Sequence, residues 1–132
     1  MPELRSFDYA VVRVVPRVER GEFVNAGVIV FCPTEAFLES RIELNEARLK
    51  VLAPDVDCDA VRAHLDVIPR VCRGGAEAGP IGLLPQRARF HWLVAPRSTI
   101  IQMSPVHVGV DTDLARALDR LFERLVRASP AG

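Results

Sequence analysis

The stretch DYAVVRVVPRVERGEFVNAGVIVFC, residues 8–32, decides the fold. Two valine-rich segments, 8–18 and 24–32, are separated by a short polar connection with Gly21 at its tip. Valine favours the pleated surface of a sheet, and a glycine between two such segments is typical of a hairpin. The stretch therefore predicts an antiparallel β-hairpin. The first segment is too continuously apolar to alternate, which indicates a strand covered on both faces.

A second hairpin is predicted nearer the C-terminal end. RFHWLVA (89–95) and STIIQMS (98–104) alternate in polarity and flank Pro96-Arg97, which would form the turn. In this register the large apolar side chains share one face, and a one-residue slip would mix them with the polar ones. The opposite, polar face is predicted to carry Arg89, His91, Gln102 and Ser104.

One further strand and two helices are predicted. Residues 37–44 alternate as a third strand. Residues 57–72 carry apolar side chains at helical spacing, and Pro69 is expected to kink this helix or end it early. Residues 111–128 have a full apolar stripe and form the second helix, with Asp111 or Thr112 able to cap it.

These elements predict an α+β fold. A single antiparallel sheet of about five strands would be covered by the two helices, in a single domain over residues 1–132. Residues 73–88 are rich in glycine and proline and would form a long loop, either mobile or functional.

Composition excludes several classes of protein. The 132 residues include 17 basic and 17 acidic side chains, and this zero net charge argues against a nucleic-acid binder. The three cysteines lack CxxC spacing, so neither a disulfide framework nor a four-cysteine zinc site is expected. No signal peptide and no membrane-spanning apolar run is evident. We expect a cytoplasmic protein with reduced thiols.

Motifs for metals and phosphates are incomplete. DVDCD (55–59) starts like a calcium loop, but Ala60 and Asp66 stand where that loop needs glycine and glutamate. GGAEAGPIG (74–82) lacks the Gly-Lys-Ser/Thr ending of a phosphate loop. The acidic run is better interpreted as favourable charge at a helix N-terminus. The sequence predicts no metal ion and no cofactor.

The histidines offer no complete catalytic set. His91 and His107 could form a metal pair, but no third ligand is evident. A Ser-His-Asp triad could be drawn from Ser98 or Ser104 with Asp111, yet the sequence has no G-x-S-x-G elbow. No catalytic residue is therefore predicted.

The polar connection RGEFVN (20–25) has two interpretations. It is either a hairpin turn, with Gly21 at positive φ and Asn25 bonded to turn backbone, or part of a binding patch. In the second case it would join the polar face of the second hairpin. The predicted binding residues are then Arg17, Arg20, Glu22, Asn25, Arg89, His91, Ser98, Gln102, Ser104 and His107.

Four sequence blocks carry a resemblance. YAVVRVVPR (9–17), RGEFVNAGV (20–28), RFHWLVAPRST (89–99) and QMSPVHVG (102–109) resemble a bacterial family known only as a domain of unknown function. Its members are often encoded beside kinases of the HipA type, so the resemblance implies an accessory role beside a partner protein. The motif residues that it marks are Arg20, Gly21, Glu22, Asn25, Gly27, Arg89, Trp92, Pro96, Ser98, Thr99, Gln102, Ser104, His107 and Gly109.

Three functional hypotheses follow. The first is a non-catalytic binding or accessory module, in a kinase-associated defence or toxin-antitoxin setting. The second is an enzyme acting on a phosphorylated or nucleic-acid substrate, with His91 or His107 as base and Arg17, Arg20 and Arg89 holding the anion. The third is a homo-oligomeric structural protein, which would expose a large apolar patch on one face of the sheet.

Overall fold

A five-stranded antiparallel sheet forms the centre of the fold in a computed structural model that describes residues 3–127. The strands run in the order β3-β2-β1, and β4 and β5 both pair with the other edge of β1. The predicted α+β class and the single antiparallel sheet are confirmed. The strands are β1 Arg5–Val14, β2 Val24–Cys32, β3 Phe37–Ile42, β4 Ile101–Met103 and β5 His107–Asp111.

The predicted first hairpin is confirmed, with one irregularity. β1 and β2 pair from Asp8 opposite Phe31 to Val14 opposite Val24. Arg13 pairs with Asn25 and Val12 with Gly27, so Ala26 is an extra residue in β2. Such a bulge reverses the facing of the residues beyond it, so Asn25 and Gly27 point to opposite faces of the sheet although they are two positions apart.

Helices cover both faces of this sheet. α2 packs against the face that carries Val12, Val14, Ile29 and Phe31, here called the α2 face. α4 packs against the face that carries Phe7, Val28 and Val30, the α4 face. The helices are α1 Glu46–Leu52, α2 Cys58–Arg73, α3 Gln86–Val94 and α4 Leu114–Phe122, and a π-helical turn, Glu123–Arg127, continues α4.

Local signals set the helix ends. The Asp57 side chain accepts a hydrogen bond from the Ala60 amide and starts α2, and Asp113 starts α4 in the same way through Arg116. The predicted cap at Asp111 or Thr112 is therefore wrong. α2 also runs past Pro69 to Arg73, so the expected early end is wrong as well.

The second predicted hairpin is wrong, because residues 86–94 form α3. The helix begins after Pro85, whose ring suits a helix N-terminus and whose missing amide removes no helical hydrogen bond there. Phe90 and Leu93, three positions apart, are buried, and the Phe90 ring stacks on Phe31 at 4.8 Å between centroids. Trp92, one of the large apolar side chains expected to share a face of the second hairpin, is 36% exposed on α3.

The predicted long loop is largely ordered as short helical turns. Residues 76–83 form consecutive 3₁₀ turns, and the Gly75 amide donates to the Gly82 carbonyl at 2.8 Å. A Cβ at Gly82 would lie 2.1 Å from the Gly75 carbonyl oxygen. The close approach of the two chain segments therefore requires glycine at position 82.

Candidate functional site

The connection between β1 and β2 is a compact turn. A 3₁₀ turn over Val18–Arg20 ends at Gly21, whose φ of 70° explains the glycine. Arg20 Nε donates to Glu22 Oε1 at 2.5 Å across the turn. This hydrogen bond lowers the pKa of Glu22 and raises that of Arg20. Arg20 and Glu22 therefore satisfy one another, which favours the turn interpretation for these two residues.

A polar row crosses three adjacent strands beside this turn. Arg13 on β1 lies opposite Asn25 on β2 and opposite Gln102 on β4. Phe7 and Arg13 are separated by an even number of positions along β1, so their side chains point to the same face of the sheet. Because Phe7 lies on the α4 face, the polar row lies there as well. The structure thus places two of the predicted binding residues, Asn25 and Gln102, on either side of Arg13, which was not among the predicted residues.

Arg13 is the unpaired member of this row. Among residues 3–127 its side chain makes no hydrogen bond or ion pair, and its Nε is buried without a partner. The guanidinium carbon lies 4.2 Å from the centroid of the Phe23 ring. Buried polar groups are nearly always hydrogen-bonded, so an orphaned guanidinium nitrogen indicates a missing acceptor.

The two neighbours of Arg13 are partly engaged. Asn25 Nδ2 donates to the Leu125 carbonyl at 3.0 Å, whereas Asn25 Oδ1 is buried with no partner in the described part of the chain. Gln102 Nε2 donates to the Thr99 carbonyl at 3.0 Å. The expected bond from Asn25 to turn backbone is therefore replaced by one to the π-helical turn after α4. Together the row offers one cationic group flanked by amides, which suits an anion.

Arg13 carried a signal in the sequence. It is the single charged residue within AVVRVV, residues 10–15. A charge inside a strand that is otherwise buried is costly unless it is paired. A lone charged residue in an apolar strand is therefore a pattern in the sequence that indicates Arg13 as a candidate binding residue.

Two predicted residues serve the main chain instead. Arg89 donates to the Val71 and Cys72 carbonyls at 2.8 Å and to the Leu84 carbonyl at 3.0 Å, so it closes the C-terminal end of α2. Ser104 Oγ accepts from the Val11 amide at 2.8 Å. Its role is to maintain the ladder of β1 where β4 passes into β5.

The two candidate histidines lie on opposite sides of the sheet. His91 is exposed on α3, whose Phe90 and Leu93 pack on the α2 face. His107 is exposed on β5 with its ring 5.4 Å from that of Tyr9, which packs against the α4-face cluster. The two side chains therefore do not converge. Arg17 and Ser98 are exposed on separate connections.

Reactive thiols and metal clusters are not found in the part of the chain that the structure describes. Cys32, Cys58 and Cys72 are all free and buried. Burial raises the pKa of the Cys72 thiol to about 11, which keeps it protonated. Within residues 3–127 no group of three or more His, Cys, Asp or Glu side chains is placed to hold a metal ion.

An apolar cleft of about 500 Å³ lies between α2, α3 and the chain entering β4. Trp92 forms one wall, and the Arg97 guanidinium stacks over its ring at 4.5 Å. Its other lining residues are His64, Val67, Ile68, Leu93, Thr99, Ile100, Ile101 and Met103. None of the helices in residues 3–127 is both long enough and apolar enough to cross a membrane.

Comparison with known proteins gives a family without an assigned activity. No curated protein and no solved structure matches this sequence. A family model described as a protein of unknown function, DUF3037, matches residues 9–126, a range that includes the Arg13 row. Because the match extends over most of the sequence, the chain belongs to the DUF3037 family.

Proposed function

We propose that this chain is a non-catalytic binding module, in which Arg13 receives a carboxylate of a partner protein. The observation that carries the proposal is the orphaned Arg13 side chain, whose Nε is buried and has no acceptor in residues 3–127. A guanidinium matches a carboxylate with two parallel hydrogen bonds. Occupancy by a carboxylate would satisfy donors that are otherwise left without a partner.

The charge of the turn that follows Arg13 along the chain favours a monoanion over a phosphate. Residues 13–22 contain three arginines and two glutamates, a net charge of +1. One of those arginines, Arg20, is already paired with Glu22. The flanking side chains, Asn25 and Gln102, are neutral. A single excess positive charge balances one carboxylate, whereas a phosphate dianion would be left with unbalanced negative charge.

The partner that we propose to test first is a kinase. The sequence blocks resemble a family often encoded beside HipA-type kinases, and acidic side chains on a kinase surface would supply the carboxylate. We place the module in the cytoplasm, supported by three cysteines that are free and buried.

Carboxylate binding can be measured at Arg13 itself. Acetate is titrated into ¹⁵N-labelled protein, with sodium chloride at equal ionic strength as reference, while the arginine Nε–Hε resonances are followed by NMR. We expect the Arg13 resonance to shift and saturate with acetate, and to respond less to inorganic phosphate. An Arg13 resonance that responds no differently to acetate than to chloride would contradict the proposal.

Variants connect this site to the partner. Arg13→Gln removes the cation, and Arg70→Gln removes an arginine exposed on α2 as a control. In pull-downs from host cells, we expect a partner recovered by wild type and by Arg70→Gln to be lost with Arg13→Gln. Arg13→Lys should weaken recovery, because lysine keeps the charge without the planar fork. A partner retained by a folded Arg13→Gln variant would move the docking surface elsewhere.

A further inference from the structure

The outer edge of β5 is open. Along its whole length β5 pairs with β1 on one side, from Arg5 opposite Asp111 to Tyr9 opposite His107. On the other side, no strand within residues 3–127 pairs with it. An unpaired edge presents a row of backbone donors and acceptors that fits another strand.

Apolar side chains accompany this open edge. Val106, Val108 and Val110 are 44%, 68% and 58% exposed. Val108 and Val110 lie opposite Asp8 and Ser6 of β1, on the α2 face, at an end of the sheet that α2 does not cover. Leu4, which precedes β1, is 70% exposed. Exposed apolar residues that cluster in this way indicate an interaction surface.

The lysine and proline residues that commonly protect a strand edge are missing from β5. Natural proteins block open edges with lysine, proline, inward-pointing charges or a covering loop. Residues 106–111, VHVGVD, contain no lysine, arginine or proline. The single acidic residue, Asp111, has its side chain 10% exposed and held by Arg116 and Arg120, so it does not guard the edge.

The sequence of β5 is complementary to itself in the antiparallel direction. HVGVD reads polar-Val-Gly-Val-polar about Gly109, with His107 at one end and the acid Asp111 at the other. A two-fold axis through Gly109 would set Val108 of one copy opposite Val110 of the other, and His107 opposite Asp111. Within His107–Asp111 this register gives two valine pairs, whereas a shift by two residues leaves only one.

We propose that β5 is the interface with a second copy of this chain, paired antiparallel about Gly109. The two sheets would join into one continuous sheet through backbone hydrogen bonds. The Val108–Val110 pairs would supply most of the side-chain stabilisation, since Asp111 is already engaged by arginines. An interface of one short strand is small, so the dimer is expected to be weak and to dissociate on dilution. This surface is independent of the Arg13 site.

The oligomeric state tests this directly. The monomer mass is 14.6 kDa, and light scattering or sedimentation of wild type should give twice that value at high concentration, falling toward the monomer on dilution. Val108→Lys should remain monomeric, because a charge on the edge blocks pairing. Val51→Lys, at an 81% exposed valine on α1, is the matched control and should dimerise normally. A wild type that is monomeric throughout, or a Val108→Lys that still dimerises, would overturn the proposal.

Cysteine cross-linking tests the register without relying on Val108→Lys. The native cysteines are buried, so mild oxidation reports on introduced thiols. An equimolar mixture of Val108→Cys and Val110→Cys chains should form a disulfide-linked pair far more readily than either variant alone, because the two positions face each other across the axis. Equal cross-linking in all three samples, or none in the mixture, would contradict this register.

Discussion

At the scale of single residues, polar side chains that look alike in the sequence have opposite roles. Arg89 and Ser104 satisfy backbone groups, and their hydrogen bonds are complete within the fold. Arg13 and Asn25 retain buried atoms without partners. Residue type and spacing do not distinguish these cases, because the acceptors are carbonyls brought close only by folding. The sequence could therefore predict which residues are polar and partly buried, but not which ones remain available to a ligand.

Ser104→Ala should destabilise the fold. The substitution removes the acceptor of the Val11 amide, at 2.8 Å, in a site where Ser104 is 4% exposed. A buried donor left without a partner costs about 1–3 kcal/mol, and we expect a loss of that size in the free energy of unfolding from urea titrations. Ser98→Ala is the matched control: Ser98 is exposed, and its change should stay within about 0.5 kcal/mol. Equal effects of the two substitutions would mean that the Ser104 hydrogen bond contributes nothing.

At the scale of elements, long segments with a clear apolar pattern were predictable and short ambiguous ones were not. β1, β2, α2 and α4 have strong patterns, and each lies within three residues of its expected start. Residues 89–95 alternate like a strand, yet Phe90 and Leu93 also match helical spacing, and a period of two cannot be separated from 3.6 over so few residues. The helix formers Gln86, Arg87 and Ala88 after Pro85 were the available signal for α3.

Pro69→Ala should stabilise α2. Proline inside a helix removes a backbone hydrogen bond and crowds the preceding turn, at a cost of about 3 kcal/mol, while it lowers the entropy of the unfolded chain by an amount worth about 0.4–1 kcal/mol. The helix tolerates Pro69 because it buries a whole face, including Leu65, Ile68 and Cys72. We expect a net gain of about 2 kcal/mol in the free energy of unfolding and a higher Tm by calorimetry.

Pro54→Ala provides a control of opposite sign. Pro54 is exposed in the turn between α1 and α2, where the Val56 amide donates to the Ala53 carbonyl at 3.1 Å. Proline suits the second position of such a turn, so its removal should cost a few tenths of a kcal/mol to about 1 kcal/mol. Stabilisation by Pro54→Ala, or destabilisation by Pro69→Ala, would show that ring packing outweighs the backbone effects.

At the scale of the whole molecule, the sheet separates two apolar clusters. β1 and β2 contribute to both, since successive side chains of each strand point to opposite faces. This double burial is why residues 8–32 read as nearly continuous apolar sequence, and it made the α+β class predictable. The Arg13 row depends on the bulge at Ala26 and on the contact of Asn25 with the turn after α4, and no pattern in the sequence predicts either feature.

Because the two clusters share β1 and β2, we expect them to unfold together. The buried thiols report on each side separately: Cys32 belongs to the α4-face cluster, and Cys58 and Cys72 to the α2-face cluster. Thiol labelling is followed by mass spectrometry in increasing urea below the unfolding transition. The labelling rate of each cysteine, divided by its labelling rate in the unfolded chain, gives the free energy of the opening that exposes that cysteine. We expect Cys32 and Cys72 to converge on the global value, and Cys58, at the first turn of α2, to open more easily. A markedly lower opening free energy for Cys32 than for Cys72 would show that α4 detaches from the sheet on its own, and the molecule would then have two cooperative units instead of one.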